Sequence, residues 1–156
     1  IVEAEAPGFM RRQRVLAIVV FSFFYEVSSQ VLVGASQIEV DVRIDGGAGN
    51  PDASPPTGAT LSAEDQAAIL RELADLPPVE FVENPDSVIV GKNRCPRVKG
   101  DGVLITLGPI SGDSERVTVP NDMFFACLGG LWITYVLENE DGHWRVTGTE
   151  GGIGIS

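Results

Sequence analysis

Lys92, Arg94, Arg97 and Lys99 are four of the seven basic residues beyond position 60, gathered into eight positions around Cys95-Pro96. A loop of that sign on an acidic body can meet an anionic ligand or partner, or orient the protein beside a charged envelope. Its plain alternative is charge balance. Downstream, Met123 to Trp132 is an apolar stretch interrupted by Gly129-Gly130. Phe124, Phe125 and Trp132, with Trp144, could line a ligand pocket, because pockets are mostly apolar with few polar groups. The alternative is a core strand with a bulge or tight bend at the glycines.

Other residues with chemical capacity lack the surroundings that catalysis needs. His143, the single histidine, follows Asp141-Gly142 and reads as a solvated hairpin residue between Glu140 and Arg145. Neither Ser111 nor Ser114 sits in the Gly-x-Ser-x-Gly elbow of a nucleophilic hydrolase. Asp113, Glu115, Asp122, Glu138, Glu140 and Asp141 could approach one another around turns, but lack the spacing of a calcium loop. Cys95 and Cys127, 32 positions apart, are the only cysteines, too few with one histidine for zinc. In an exported chain they would form a disulfide; otherwise they are buried thiols. The sequence implies no cofactor or metal, and more readily a binding role than an enzymatic one.

Charge narrows the partners. The chain of 156 residues carries a net charge of −11, with four basic and seven acidic residues up to position 60 and seven and fifteen beyond it. Such a surface repels phosphate backbones and anionic lipid heads, which argues against nucleic acid and peripheral membrane binding.

The amino-terminal third admits two readings. Met10-Arg11-Arg12-Gln13-Arg14 feeds an 11-residue apolar run, Val15 to Tyr25. That run is shorter than the roughly 20 residues of a membrane span but fits a secretory signal. Gly34-Ala35-Ser36 supplies small residues for cleavage, with no cysteine nearby to carry lipid. The expected organisation is then an upstream extension and signal-like segment over 1–36, a short strand and Gly/Pro-rich linker over 37–60, and a folded domain over 61–156. Alternatively Val15 to Val42 forms a pair of strands, and burial of Val15 to Ile44 between subunits would drive self-assembly. Ile38, Val40, Val42 and Ile44 alternate with Glu39, Asp41 and Arg43, as on a strand with one polar face.

In the domain, Ser62-Ala63-Glu64-Asp65 predicts a helix start, with the serine hydroxyl accepting a first-turn N–H. Ala67, Leu70, Leu73 and Ala74 would form its apolar stripe, and Pro77-Pro78 would stop it. Strands are expected at 79–83, 87–91, 103–107, 116–119, 131–138 and 143–149. An Asp141-Gly142 turn sets Glu140 opposite His143, Glu138 opposite Arg145 and Leu137 opposite Val146. Ile133, Tyr135 and Leu137 then share the core face with Trp144 and Val146. The expected fold class is α+β, one amphipathic helix on an antiparallel sheet of about four to six strands.

The segments Leu73-Ala74-Asp75-Leu76-Pro77-Pro78-Val79-Glu80-Phe81-Val82, Ile105 to Ile110, Thr134 to Leu137 and Gly142 to Thr149, with Gly151 and Ile155-Ser156, carry a resemblance. On these residues the chain is similar to uncharacterised secreted small-domain proteins of actinobacteria and their relatives. That resemblance implies a signal peptide, a linker and one small domain, and implies no activity. The Tyr-x-Leu-Glu-x-x-x-Gly-x-Trp-x-Val ending also resembles the cone-shaped fold of ketosteroid isomerases, as fold analogy alone. The chain thus reads as an exported, non-catalytic binding domain for an unknown protein or small anionic ligand at the cell envelope. A small-ligand or enzymatic domain with an apolar pocket, and a self-assembling structural protein, are the competing readings.

Overall fold

The computed structural model describes residues 14–20, 22, 37–44, 60–74, 77–127 and 129–155. The linker expected over 45–59, the basic cluster over 10–13 and the small-residue site over 34–36 lie outside them. Helix α1 covers 14–20 and α2 covers Ala63–Glu72. The strands are β1 (Ile38–Ile44), β2 (Val79–Val82), β3 (Ile89–Val90), β4 (Arg97–Val98), β5 (Val103–Leu107), β6 (Ser111–Gly112), β7 (Arg116–Ala126), β8 (Gly129–Glu140) and β9 (His143–Ile155).

All nine strands belong to one sheet, with β2-β1-β5-β7-β8-β9 as its main path. Both neighbours of β1 run parallel to it, whereas β5, β7, β8 and β9 pair antiparallel. This corrects two expectations: the sheet is mixed rather than antiparallel, and among the described residues it has nine strands rather than four to six. Parallel strands need a crossover, and α2 lies in the connection that returns the chain from β1 to β2. Two of the extra strands, β4 and β6, are two-residue pieces too short to show a period in sequence, and the strand expected at 87–91 is reduced to β3 by a preceding 3₁₀ turn over Pro85–Val88. The division expected at residue 61 runs between strands that are hydrogen-bonded neighbours.

Residues 14–20 are helical, not extended. Val15, Leu16, Val19 and Val20 lie on adjoining turns and are at most 1 % exposed, packed with Ile38, Val40, Ile105 and Ile133 in the main core. The described parts of the segment considered for self-assembly therefore lie inside the chain's own fold. Among the described residues no helix is long and apolar enough to cross a membrane.

Helix α2 begins as its sequence predicts. Ser62 Oγ accepts the Asp65 N–H at 3.1 Å while the Asp65 carboxylate accepts the Ser62 N–H at 3.2 Å, a reciprocal cap. Its buried stripe is rotated from the expected one. Ile69 and Leu73 enter the core with Asp65 beneath them, while Leu70 is 39 % exposed and Ala67 and Ala74 also face solvent. The cap draws Asp65 inward, and the residues four and eight positions later follow it onto that face.

Strand β7 continues through Pro120, where a strand is expected to stop. The Pro120 carbonyl accepts the Gly108 N–H at 2.7 Å, so proline's missing donor faces the gap between β5 and β6 rather than β8. No bond of the β7–β8 ladder is lost. Gly108 is required there, since a Cβ on it would lie 2.6 Å from Pro120 Cγ.

The β8–β9 hairpin has the expected register: Leu137 opposite Val146, Glu138 opposite Arg145 and Glu140 opposite His143. Asp141 and Gly142 both have positive φ, 54° and 85°. Ile133, Tyr135 and Leu137 are buried, with Trp144 and Val146 packed against them.

Because α1 fills the core, Leu16→Ala should destabilise the full chain by about 2–5 kcal/mol. Urea unfolding of the purified chain measures this, and an unchanged midpoint would place residues 14–20 outside the stable fold.

Candidate anion-binding site

The basic cluster is divided by the local backbone. Strand β3 ends at Val90, Gly91 turns with φ 73°, and the Arg94 N–H returns to the Gly91 carbonyl at 3.1 Å. A Cβ at residue 91 would meet the Cys95 carbonyl oxygen at 2.9 Å, so the close turn requires glycine. Gly91, Lys92, Asn93, Arg94, Cys95 and Arg97 enclose a surface concavity of about 460 Å³. That size lies within the range that holds small ligands.

Three of the four expected basic residues line this concavity. Lys92 also approaches Asp86 at 3.4 Å, with both side chains exposed, a contact of little energetic weight. Arg94 and Arg97 are exposed and carry no carboxylate partner among the described residues. Lys99 goes elsewhere. Val98 turns inward as part of a small cluster with Val82, Val88 and Leu104, and Lys99 starts a 3₁₀ turn, Lys99–Asp101, that leads into β5.

The base of the concavity is held covalently and by backbone pairing. Cys95 and Cys127 form a disulfide with Cα atoms 4.4 Å apart, as their even count predicts. The Cys127 N–H also donates to the Pro96 carbonyl, and Arg97 pairs with Ala126 at the end of β7. Cys127 has φ 53°, the left-handed conformation that turns the chain from β7 towards β8.

The aromatic residues do not converge. Phe124 packs on the small cluster with Val98 and Leu104, while Phe125 and Trp144 pack against the main core. Trp132 stands opposite Asp122, which places it on the face of Phe124. A β-bulge between Phe124 and Ala126 accompanies this split, so the glycines and the bulge form a bend in the core. His143 is exposed at the hairpin tip opposite Glu140. Asp113 accepts the backbone N–H groups of Glu115 and Arg116, the work of a turn carboxylate.

Two buried polar groups escape a reading of the sequence. Asn121 is fully buried on the core face, with its amide nitrogen on the Val119 carbonyl at 2.8 Å and Oδ1 without a partner. Glu39, expected on a polar face, has no exposed surface, and its Oε2 also lacks a partner. The strand alternation around Glu39 is correct, but the second face of β1 is covered too. Asp41, on that face, is 1 % exposed and held by Arg43 through Nη2 at 2.9 Å and Nε at 3.1 Å.

Fold and site together define a mixed-sheet domain of α and β elements with a disulfide-anchored basic loop. The chain matches no family model, no characterised protein and no solved structure.

The disulfide joins residues 32 positions apart. Replacing both cysteines by serine should cost about 3–4 kcal/mol on the chain-entropy account. Reductant should lower the thermal midpoint of the wild-type chain and leave the double variant unmoved; equal midpoints in all forms would show that the bond contributes nothing.

Proposed function

We propose that this chain is a non-catalytic binding domain that holds a small anionic ligand, or an anionic group of a partner, at the loop Lys92, Arg94 and Arg97. The observation that carries this reading is a cationic concavity on a chain of net charge −11, with two guanidinium groups free of carboxylate partners among the described residues. Arginine presents several donors in one plane and suits a carboxylate or phosphate, while Lys92 adds charge on a flexible stem. The disulfide supports residence in an oxidising, extracytoplasmic compartment. The likeness to secreted small-domain proteins agrees with that placement, although the burial of α1 supports retention of residues 14–20 in the folded chain rather than their removal.

Titration calorimetry and amide chemical-shift mapping with inorganic phosphate and with citrate test the ligand reading. Perturbations should centre on residues 91–97, weaken with added salt, and fall roughly tenfold in affinity for Arg94→Ala or Arg97→Ala. Perturbations scattered over the surface, or undiminished in both variants, would overturn it. The compartment is tested separately by intact mass, with and without reductant, on protein from the medium and the cell fraction. The oxidised chain should appear outside the cytoplasm, lighter than its reduced form by a pair of hydrogens and still containing residues 14–20. A reduced chain confined to the cytoplasm would remove the argument for export.

A further inference from the structure

On the sheet face opposite the main core, Glu39 of β1 stands directly beside Glu80 of β2 and Leu104 of β5. Glu39 is fully buried, whereas Glu80 is exposed. One amide joins them: Gln37 Nε2 donates to Glu39 Oε1 at 2.6 Å and to Glu80 Oε2 at 2.9 Å. Glu39 Oε2 has no hydrogen-bond partner among the described residues. The ionisable groups around Glu39 are few. Glu80 faces it from β2, Lys99 lies near it from the turn before β5, and β5 itself offers only Leu104. Asp41, next on the same face of β1, is already neutralised by Arg43.

Two carboxylates on adjacent strands, one of them out of water and with an unsatisfied oxygen, are costly to ionise together. Like charges placed opposite each other also weaken strand pairing. We propose that Glu39, buried beside the Glu80 carboxyl and with one oxygen unsatisfied, holds a proton in the folded chain, and that this makes the seam between β1 and β2 a pH-sensitive latch. Edge position matters because among the described residues β2 pairs with β1 alone, through four residues. When the proton leaves, the two charges repel across that single seam.

Burial first, and the charge of Glu80 second, raise the Glu39 pKa above its ordinary 4.5, with Lys99 opposing them. A raised carboxyl pKa means that the folded state holds a proton the unfolded state has released. This contribution to stability is therefore complete below the ordinary value and is lost as pH rises through the folded value.

Two measurements on the full chain decide the matter. Carboxyl ¹³C NMR should show Glu39 titrating above 4.5, with its midpoint shifting down in Glu80→Gln. Urea unfolding across the same window should show the wild-type unfolding constant rising by up to roughly tenfold per pH unit, and Glu39→Gln should flatten that rise. A Glu39 midpoint at or below the ordinary value, a midpoint indifferent to Glu80→Gln, or an unchanged slope in Glu39→Gln would overturn the latch. Should Glu39→Gln fail to fold, the titrations of wild type and of Glu80→Gln, altered at an exposed position, still decide.

Discussion

Strand β1 has a hydrogen-bonded parallel neighbour on each side, and most of the architecture follows from that placement. Parallel strands need crossovers, and the first is made by the connection that contains α2. A strand inside a sheet is also covered on its faces. Ile38 and Val40 enter the main core, where α1 and α2 meet them through Leu16, Val19, Ile69 and Leu73. The other face carries Glu39 and Asp41 into burial without making them apolar. Each then needs a local solution: Arg43 for Asp41, and the Gln37 amide shared with Glu80 for Glu39. A charged pair and an unsatisfied carboxyl oxygen within residues 39–43 of one strand follow from placing a half-polar sequence between two neighbours in a sheet.

What the sequence reveals of this fold depends on range. The β8–β9 hairpin is legible because its turn chemistry and its facing pairs lie within a few residues and agree: positive φ at Asp141-Gly142, opposite charges at Glu138 and Arg145, apolar contact at Leu137 and Val146. The start of α2 is legible for the same reason, since Ser62 and Asp65 complete their cap locally. Its buried face is not. The spacing of Leu70, Leu73 and Ala74 satisfies a helical stripe as well as that of Asp65, Ile69 and Leu73, and only the position of the sheet selects between them. Helix α1 is harder still. A short valine-rich run is equally suited to a signal, a strand or a core helix, because nothing polar within it marks a solvent face. Parallel pairing of β1 with β2 and β5 joins residues some forty to sixty-five positions apart, and no local pattern encodes it.

The basic loop was visible as charge, but its division was not. Gly91 turns the chain back on itself and keeps Lys92, Arg94 and Arg97 around one concavity, whereas the inward turn of Val98 sends Lys99 towards the carboxyl pair. Two positions separate Arg97 from Lys99, as they separate Lys92 from Arg94, yet they serve different surroundings. The aromatic residues show the same limit. Phe124 and Phe125 are neighbours in sequence and face opposite sides of the sheet, so their proximity along the chain says nothing about a shared pocket.

Charge and anchoring together shape what the concavity can hold. Three cations brought onto one short turn repel one another, and that repulsion is borne by the folded chain through the Cys95–Cys127 bond and the short β3–β4 and β4–β7 pairings. A ligand then meets donors already in place, and little ordering of the loop is subtracted from its affinity. Long-range attraction works differently. At physiological ionic strength fields fade over about 8 Å, and the body beyond the loop is strongly negative, so an approaching anion is drawn in only at close range. A polyanion long enough to leave the concavity would lie across acidic surface and be repelled there. A compact anion seated among Lys92, Arg94 and Arg97 would meet the cations without that penalty. On the proposed binding role, the same distribution of charge sets a small carboxylate or phosphate, or the anionic tip of a larger partner, above nucleic acid.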